Sequence, residues 1–378
     1  MGKKLIIAGG GIGGLAAAVA LERAGVDARV YERAPSFVEV GAGMSLWPNA
    51  TRILKSWDLL EPIRSLGELV THFDLLRPDG STLSEIPVGG LETPAICIHR
   101  ADLHGILRKA LKPEFLNSGL TLNSFSQGPD GRVAALFSGG LKVEADGLVG
   151  ADGVNSVVRT QLHGSHAPVY RGYTIWRGIA RDIVAGKRGH ISETWGRGQR
   201  FGIMPIGQGR VCWYATRNGP ATRPDGTEGR KREIQGLFGG WHRPIQELIE
   251  ATEPELIMKN DARDRRPLRK WGIGSVTLLG DAAHPITPNV GQGACMAIED
   301  AACLAKSLQS EPDLARAFLA YEEARTRRTA FVGLRSRHIG TIGQLENRVL
   351  TQARDAIAQF VLRVSGDIAL STVYAYEV

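Results

Sequence analysis

The residues best suited to chemistry stand near the start of the chain, where Gly9, Gly11 and Gly14 form a GxGxxG pattern. In a nucleotide-binding turn the first glycine permits a tight bend, the second lets the backbone approach a pyrophosphate, and the third lets helix pack on strand. The helix N-terminus would offer N–H groups and a partial positive charge to the phosphates. Glu32, about 20 residues further on, is placed to accept hydrogen bonds from ribose hydroxyls. Because an acid there disfavours a 2′-phosphate, we expect an NAD-like or FAD-like nucleotide and not NADP.

Two further motifs contain aspartates that could bind a cofactor. A GADG sequence places Asp152 at the end of one strand, and a LLGD sequence places Asp281 at the end of another. An aspartate in this position can bind a polyol hydroxyl. The Gly-Gln-Gly at 291–293 opens a long helix, whose positive end points at whatever lies over Pro288 to Gly291. If that is the pyrimidine edge of a flavin, the helix dipole would stabilise the anionic reduced ring.

The elements that must position these residues follow from the apolar pattern. Residues 3–8 predict a buried strand, 15–24 a helix and 28–31 a second strand. A dehydrogenase would continue into a second mononucleotide half, whereas this chain continues through a segment punctuated by Pro and Gly, which favours FAD over NAD. Arg100 stands at the start of a later helix, where its guanidinium could reach the cofactor; a surface arginine explains its position equally well.

The order GxGxxG, DG and GD, with GDAAHPITPNVGQGACMAIEDA at 280–301, resembles the single-component FAD-dependent aromatic hydroxylases, the para-hydroxybenzoate hydroxylase-like or group A flavin monooxygenases. WPNA at 47–50, DRRPLRKW at 264–271 and YRGYTIWRG at 170–178 look most like the branch of salicylate hydroxylase, urate hydroxylase and zeaxanthin epoxidase. The resemblance implies FAD as cofactor and NAD(P)H as a transient co-substrate.

The resemblance also implies which residues hold the FAD. Glu32 and Arg33 would contact its adenosine half, Arg100 and Asp281 its middle, and the 288–294 loop the flavin. Asp152 is associated in the family with both FAD and NAD(P)H binding. The predicted cofactor-binding set is Gly9, Gly11, Ile12, Gly13, Gly14, Glu32, Arg33, Arg100, Asp152, Asp281, Pro288, Gly291, Gln292, Gly293 and Ala294.

The implied fold class is α/β. It comprises a Rossmann-like FAD-binding domain of the para-hydroxybenzoate hydroxylase type, an inserted antiparallel β-sheet substrate domain and a C-terminal helical segment. The alternation of Tyr173, Ile175 and Arg177 with Thr174 and Trp176 is typical of such strands. We predict the FAD-binding domain at 1–70, 93–167 and 268–315, the substrate domain at 71–92 and 168–267, and C-terminal helices at 316–378 packing on the FAD-binding domain.

One face of the inserted sheet would cover the flavin and form a mostly apolar pocket. Arg200 matches the place of a substrate arginine in the urate hydroxylases, but their pocket tyrosine aligns with Cys212, which argues against urate. We predict Arg200, Tyr214 and Pro288 as catalytic residues. The candidate pocket residues, each of which could instead belong to the core, are Trp176, Arg200, Met204, Cys212 and Tyr214.

Histidines have a smaller place in the prediction. We expect His284 to have a packing or hydrogen-bonding role, and His190 and His242 to lie in solvent. The sequence shows no Ser-His-Asp or metal-ligand constellation, and its four cysteines have no paired spacing, so we expect neither a metal nor a disulfide framework.

The predicted function is hydroxylation of an activated aromatic or heteroaromatic small molecule, using NAD(P)H and dioxygen through a flavin hydroperoxide. An alkene or terpenoid epoxidase with the same flavin chemistry is the nearest alternative. A flavin halogenase would carry a WxWxIP segment, which is absent from the sequence. A nucleotide-binding regulator without turnover is a third alternative.

Composition sets broader limits. With 378 residues we expect two lobes, and 43% hydrophobic with 22% charged residues excludes disorder and a fibrous fold. The net charge of +7 does not identify a binding partner, because much of it lies in residues 316–363, which contain nine arginines and four acids. Apolar positions such as Phe318, Phe331 and Phe360 predict that this region is an amphipathic helix. We expect no nucleic acid, little membrane contact and a monomer or homodimer. Glycines interrupt the uncharged stretch after Lys4, which argues against a signal peptide and favours a cytoplasmic protein.

Overall fold

The computed structural model describes residues 2–37, 41–88, 92–184, 186–221 and 227–378. In these ranges the strands are β1 (Lys4–Ala8), β2 (Asp27–Glu32), β3 (Gly43–Leu46), β4 (Glu68–Val70), β5 (His72–Leu76), β6 (Thr82–Pro87), β7 (Ala95–His99), β8 (Leu116–Ser118), β9 (Leu122–Gln127), β10 (Val133–Phe137), β11 (Lys142–Ala145), β12 (Gly147–Gly150), β13 (Val169–Arg181), β14 (His190–Trp195), β15 (Gln199–Pro205), β16 (Arg210–Asn218), β17 (Met258–Asp264) and β18 (Val276–Leu278). The α-helices are α1 (Ile12–Arg23), α2 (Pro48–Ser56), α3 (Leu60–Leu66), α4 (Arg100–Lys109), α5 (Val157–His163), α6 (Thr227–Phe238), α7 (Ile245–Glu250), α8 (Gly293–Ser310), α9 (Leu314–Gly343) and α10 (Arg348–Tyr374).

A parallel sheet with strand order β18-β12-β1-β2-β8 forms the centre of the first lobe. Residues Leu5 to Ala8 of β1 are at most 2% exposed, as expected for a parallel strand covered on both faces. Helix α1 packs on β1, on α4 and on α8. The small antiparallel sheet of β9, β10 and β11 covers β2, where Phe137 stacks on Tyr31. The predicted Rossmann-like domain is therefore confirmed.

The second large sheet has strand order β17-β13-β16-β15-β14-β5-β6. Its neighbours run antiparallel except β5 and β14, which are parallel. The expected inserted sheet, with strands added from the 71–92 segment, is confirmed apart from this pair. The β5–β6 hairpin reaches the sheet from an earlier part of the chain, so no turn forces it to run opposite to β14. Residues 89–91 lie outside the described residues, and the domain boundaries stay predictions.

The two faces of this sheet have different neighbours because successive side chains of a strand alternate between them. One face, called the helix face below, carries Phe201 and Trp213, which form a fully buried cluster with Phe238 of α6 and with α7. The other, called the inner face, turns toward β3 of the first lobe, where the Gly43 N–H donates to Cys212 Sγ at 3.1 Å. A pocket between the lobes must be lined by the inner face.

The C-terminal helices contact both lobes. Helix α9 packs on α8 and β18, whereas α10 contacts α2 and also β6 of the second sheet. Of the predicted apolar face, Phe318 is buried, but Phe331 and Phe360 are 45% and 70% exposed. Within the described residues, no helix is both long and apolar enough to cross a bilayer.

Candidate functional site

The GxGxxG turn leaves no room for side chains at its first and third glycines. Gly9 has φ +108°, and a Cβ there would lie 2.4 Å from the Ala151 carbonyl oxygen. A Cβ on Gly14 would lie 1.9 Å from the Gly9 carbonyl oxygen. Helix α1 begins at Ile12 after Gly11, with no side-chain cap and no acid in its first turn. Its first N–H groups are therefore available to an anion.

Glu32 is held in place by this turn. One carboxylate oxygen accepts a hydrogen bond from the Gly10 N–H at 2.6 Å and the other from the Ala34 N–H at 2.8 Å. The carboxylate retains lone pairs for ribose hydroxyls. Neighbouring Arg33 is exposed. Sequence reasoning missed His104 of α4, whose buried Nε2 lies 2.8 Å from the Gly10 carbonyl oxygen; no local signal distinguishes it from an apolar position of that helix.

Asp281 lies where α1 and α8 meet. A Cβ on Gly13 of α1 would contact Leu279, which precedes the GD pair, and Ala297 of α8. Asp281 is exposed, yet the surrounding protein partly desolvates its carboxylate and raises its pKa, an effect that His284 and Arg100 oppose. Arg100 is thus close enough to Asp281 to interact with it electrostatically.

Asp152 has a structural role in the first lobe. Its Oδ2 accepts hydrogen bonds from the Val157 and Val158 N–H groups at 2.7 and 3.3 Å, so it caps α5. Its Oδ1 is buried without a hydrogen-bond partner among the described residues, and burial raises the pKa of the carboxyl. Arg159 then joins this motif to the next one by donating to the Ala282 carbonyl oxygen at 3.0 Å. The expected contact of Asp152 with FAD and NAD(P)H stays a prediction.

The loop before α8 forms the far wall of the cleft. Gly291 has φ +59°, and a Cβ there would lie 2.5 Å from Ser45 Oγ of β3. Gln292 is buried and its Oε1 accepts a hydrogen bond from Asn49 at 2.8 Å, whereas Pro288 is exposed. Helix α8 begins at Gly293, next to Ala294, with no side-chain cap and no acid in its first turn.

These features together fit FAD. Helices α1 and α8 pack on each other and each starts without a side-chain cap, which suits a pyrophosphate at α1 and an electron-accepting ring at α8. The glycine turn gives the phosphates a close backbone approach, and Glu32 and Asp281 offer carboxylates for hydroxyl groups.

The pairing of β13 with β16 decides which candidate pocket residues face this cleft. Arg177 pairs with Tyr214, and Ile179 with Cys212, so these side chains share the inner face. Met204 pairs with Cys212 and shares it as well. The assignment of Trp176 to the pocket was wrong. Its side chain points to the helix face, where it is 1% exposed within the second core.

Arg200 is buried at the inner face with each guanidinium nitrogen bound to protein. It donates to Glu193 at 3.0 Å, to Gln344 at the end of α9 at 2.8 Å and to Asn289 of the loop before α8 at 2.6 Å. Glu193, Asn289 and Gln344 were not anticipated. Asn289 and Gln344 lie far from Arg200 in sequence, and Glu193 reaches it through the pairing of β14 with β15. The guanidinium thus joins the second sheet to both the loop before α8 and α9.

Tyr214 and Cys212 differ in the solvent exposure of their side chains. The Tyr214 ring covers Gly202, where a Cβ would lie 2.1 Å from the ring atoms. Burial and the charge of Glu193 raise the pKa of Tyr214 well above its usual value, so the phenol stays protonated. Cys212 is fully buried with its pKa raised to about 11 by burial, and its sulfur faces the β3 backbone. It therefore packs between the lobes as a neutral thiol.

Arg177 is the inner-face residue that the predicted site omitted. Among the described residues it makes neither a hydrogen bond nor an ion pair, although Tyr173, Cys212 and Tyr214 surround it electrostatically. Desolvation lowers the pKa of its guanidinium. The signal was in the sequence, since Arg177 interrupts an otherwise apolar or aromatic alternation along β13.

The histidine expectations have mixed outcomes. His284 is buried with Nε2 2.5 Å from Asp300 Oδ2, in a cluster that includes Arg325, and this geometry fits a hydrogen-bonding role. The expectation that His190 and His242 lie in solvent was wrong. His190 is 11% exposed and lies 2.9 Å from Asp74, and His242 lies 2.9 Å from Thr194 Oγ1.

Known proteins resemble the chain over most of its length. Residues 3–332 match a family model described as an FAD binding domain. The chain is 40% identical over 365 residues to an aurachin C monooxygenase/isomerase of Stigmatella aurantiaca, covering 95% of this chain and 94% of that protein. It is 35% identical to an FAD-dependent urate hydroxylase of Mycolicibacterium vanbaalenii, covering 88% and 87%. The crystal structure of Klebsiella pneumoniae HpxO with FAD and uric acid superposes with a TM-score of 0.91 at 27% identity, covering 99% and 96%.

Proposed function

This chain belongs to the FAD binding domain family, as an FAD-dependent monooxygenase, and we propose that it uses NAD(P)H and dioxygen to hydroxylate an electron-rich aromatic or heteroaromatic molecule that carries an acidic or carbonyl oxygen. Relatives with this kind of printed activity include a 3-hydroxybenzoate 6-hydroxylase and a 6-hydroxynicotinate 3-monooxygenase, 35% and 32% identical.

The cofactor would be held by the residues around the cleft. The start of α1 and the glycine turn suit the pyrophosphate, Glu32 the adenosine ribose, Asp281 the polyol chain, and the start of α8 the flavin ring. When bound, FAD would supply electron transfer from NAD(P)H and the activation of dioxygen. The dipole of α8 would stabilise negative charge on the reduced ring, since no acid in its first turn opposes it.

The single observation that carries the substrate proposal is the free guanidinium of Arg177 on the inner face. A partly buried charge without an anionic partner is costly, and a ligand with a phenolate, carboxylate or carbonyl oxygen would satisfy it. Tyr214 stays protonated beside it, with Glu193 as the hydrogen-bond partner of its hydroxyl, and its ring lines the same part of the inner face. The contact with Arg177 would orient one ring edge of the substrate toward the loop before α8.

Arg200 has a different proposed role. Because its nitrogens already bind Glu193, Gln344 and Asn289, we assign it to positioning the loop against the sheet, and not to contacting the substrate. Pro288 begins the turn that contains Asn289, so its proposed contribution is to fix the loop backbone near the ring. The close packing of the two lobes would exclude water from the reaction.

The test is substrate-stimulated NAD(P)H oxidation by the FAD-loaded protein, with product identification by mass and NMR. The panel contains phenolic acids, hydroxylated N-heterocycles and polyenes, the last because a zeaxanthin epoxidase of Solanum lycopersicum is 34% identical. We expect stimulation and one added oxygen with acidic ring compounds. Protein that remains colourless after reconstitution with FAD, or stimulation by polyenes alone, would contradict the proposal.

A further inference from the structure

Side chains with metal-binding chemistry meet on the helix face of the second sheet, away from the cofactor cleft. His72 of β5 pairs directly with His190 of β14, and Asp74 of β5 pairs with Glu85 of β6. Directly paired residues project to the same face of a sheet. Thr194, on the same side of β14 as His190, pairs with Phe201 of the helix face. This group, called the β5–β6–β14 cluster below, therefore cannot touch substrate on the inner face.

Three side chains of the cluster converge. One ligand atom from each of His72, Glu85 and His190 lies within 4.8 Å of the other two. His72 Nε2 is 4.0 Å from Glu85 Oε1, and the two imidazoles stack with centroids 4.4 Å apart and planes at 9°. Ligand atoms at this spacing need to close only slightly around an ion bound at the usual metal–nitrogen distance of about 2.0–2.1 Å.

The second nitrogen of each imidazole already has a partner. His190 Nδ1 lies 2.9 Å from Asp74 Oδ2, and His72 Nδ1 lies 3.0 Å from Thr71 Oγ1. Metal-binding histidines are oriented in this way, with a carboxylate or another oxygen on the nitrogen that does not bind the ion. This leaves Nε2 of both rings for a ligand.

A buried carboxylate oxygen adds a second, independent observation. Asp74 Oδ1 is inaccessible to solvent and has no hydrogen-bond partner among the described residues. Lys187 Nζ lies 3.6 Å from Glu85 Oε2 and does not satisfy Asp74. A cation bound by the adjacent imidazole pair would offset the negative charge of this carboxylate.

We propose that His72, Glu85 and His190 bind a divalent transition-metal ion of the Zn²⁺ class, with Asp74 orienting His190. Two nitrogens and one carboxylate suit Zn²⁺, Ni²⁺ or Cu²⁺ and are unsuited to Mg²⁺ and Ca²⁺, which prefer oxygen ligands alone. His72 and Glu85 are 34% and 44% exposed, so a fourth position remains open to water. The ion would link three strands and hold the β5–β6 hairpin to β14, the one parallel pair of the sheet.

The experiment is calorimetric titration of the FAD-loaded, chelator-treated protein with ZnCl₂ at neutral pH. We expect one Zn²⁺ per chain and no heat with MgCl₂. Glu85→Gln and His190→Ala should each weaken Zn²⁺ binding by about tenfold or more, and Asp74→Asn by about 10-fold to 100-fold. Lys187→Ala should tighten it, because it removes a cation that competes for Glu85.

The matched control is His338→Ala, which removes an exposed histidine of α9 and should leave Zn²⁺ binding unchanged. The four cysteines are buried, so they do not compete in the folded protein. Glu85→Gln changes an exposed side chain without changing its size, and so tests the site even if His190→Ala unfolds. Equal Zn²⁺ affinity of wild type and Glu85→Gln, or no binding at about 100 μM Zn²⁺, overturns the proposal. Neither result affects the oxidation assay, because the cluster lies on the opposite face from the cofactor.

Discussion

The ring of Tyr374 stacks on the ring of Trp47, with 4.0 Å between centroids and 5° between planes. The Trp47 indole N–H donates to Ser45 Oγ at 3.0 Å, and a Cβ on Gly291 would contact both of these residues. The end of α10 therefore supports, through Trp47, the turn from which α8 starts. Tyr374 thus supports the wall of the cofactor cleft indirectly, through Trp47.

Replacing Tyr374 should test that support. Tyr374→Ala is expected to lower the free energy of unfolding by about 3–5 kcal/mol, because it removes a buried aromatic ring and its stacking partner's contact. It should also weaken FAD binding, measured by quenching of flavin fluorescence. Tyr374→Phe keeps the ring and serves as the control. Unchanged FAD affinity in Tyr374→Ala would show that the stack of Tyr374 on Trp47 does not support the cofactor cleft.

Two glycine substitutions make a matched pair. Gly14→Ala should abolish FAD binding, since its Cβ would lie 1.9 Å from the Gly9 carbonyl oxygen. In Gly105→Ala the new Cβ meets nothing within 4 Å inside α4, so this variant should bind FAD normally and gain about 0.5–1 kcal/mol of stability. Flavin retention after gel filtration and urea unfolding measure the two effects. Normal flavin content in Gly14→Ala would show that the turn has another role.

Substitutions of two adjacent residues on opposite faces of β13 should affect different properties, the KM in one case and the stability in the other. Arg177→Gln is expected to raise KM for acidic substrates by about tenfold or more, because a charge-assisted hydrogen bond is lost, with little effect on unfolding. Trp176→Ala should instead lower the free energy of unfolding by about 3–5 kcal/mol, because the indole fills the second core. Steady-state kinetics and chemical denaturation distinguish them. An unchanged KM in Arg177→Gln counts against the proposed substrate contact.

Asp281 should make the apoprotein less stable at neutral pH. Desolvation raises the pKa of Asp281 in the folded state above its usual value, so the folded state disfavours its charged form. Asp281→Asn should therefore raise the urea midpoint of the apoprotein near neutral pH, and the difference should vanish as the pH falls below 3.8. The same variant should bind FAD more weakly. A midpoint below that of wild type at neutral pH would contradict this reasoning.

Local chemistry was predictable from the sequence, and long-range partners were not. The turn at Gly9 to Gly14 was predicted because its spacing alone carries the steric requirement. Trp176 was misassigned because the alternation along β13 shows two faces, but only the pairing with β16 and the contact of Cys212 with β3 show which is inner. Arg200 was recognised, yet its partners Asn289 and Gln344 come from two distant segments, and Glu193 meets it only through the pairing of β14 with β15.

The interleaved course of the chain has a consequence for how the protein folds. The second sheet needs β5 and β6 from before residue 88 and β17 near residue 260, while the first sheet is completed by β18 at 276–278. Neither sheet can be completed until most of the chain is available. Because its native contacts are therefore strongly non-local, folding should be slow. Fragments cut between the lobes would each lack strands of their own sheet. We therefore expect the two lobes to unfold in one cooperative transition, as a single thermodynamic unit despite their separate cores.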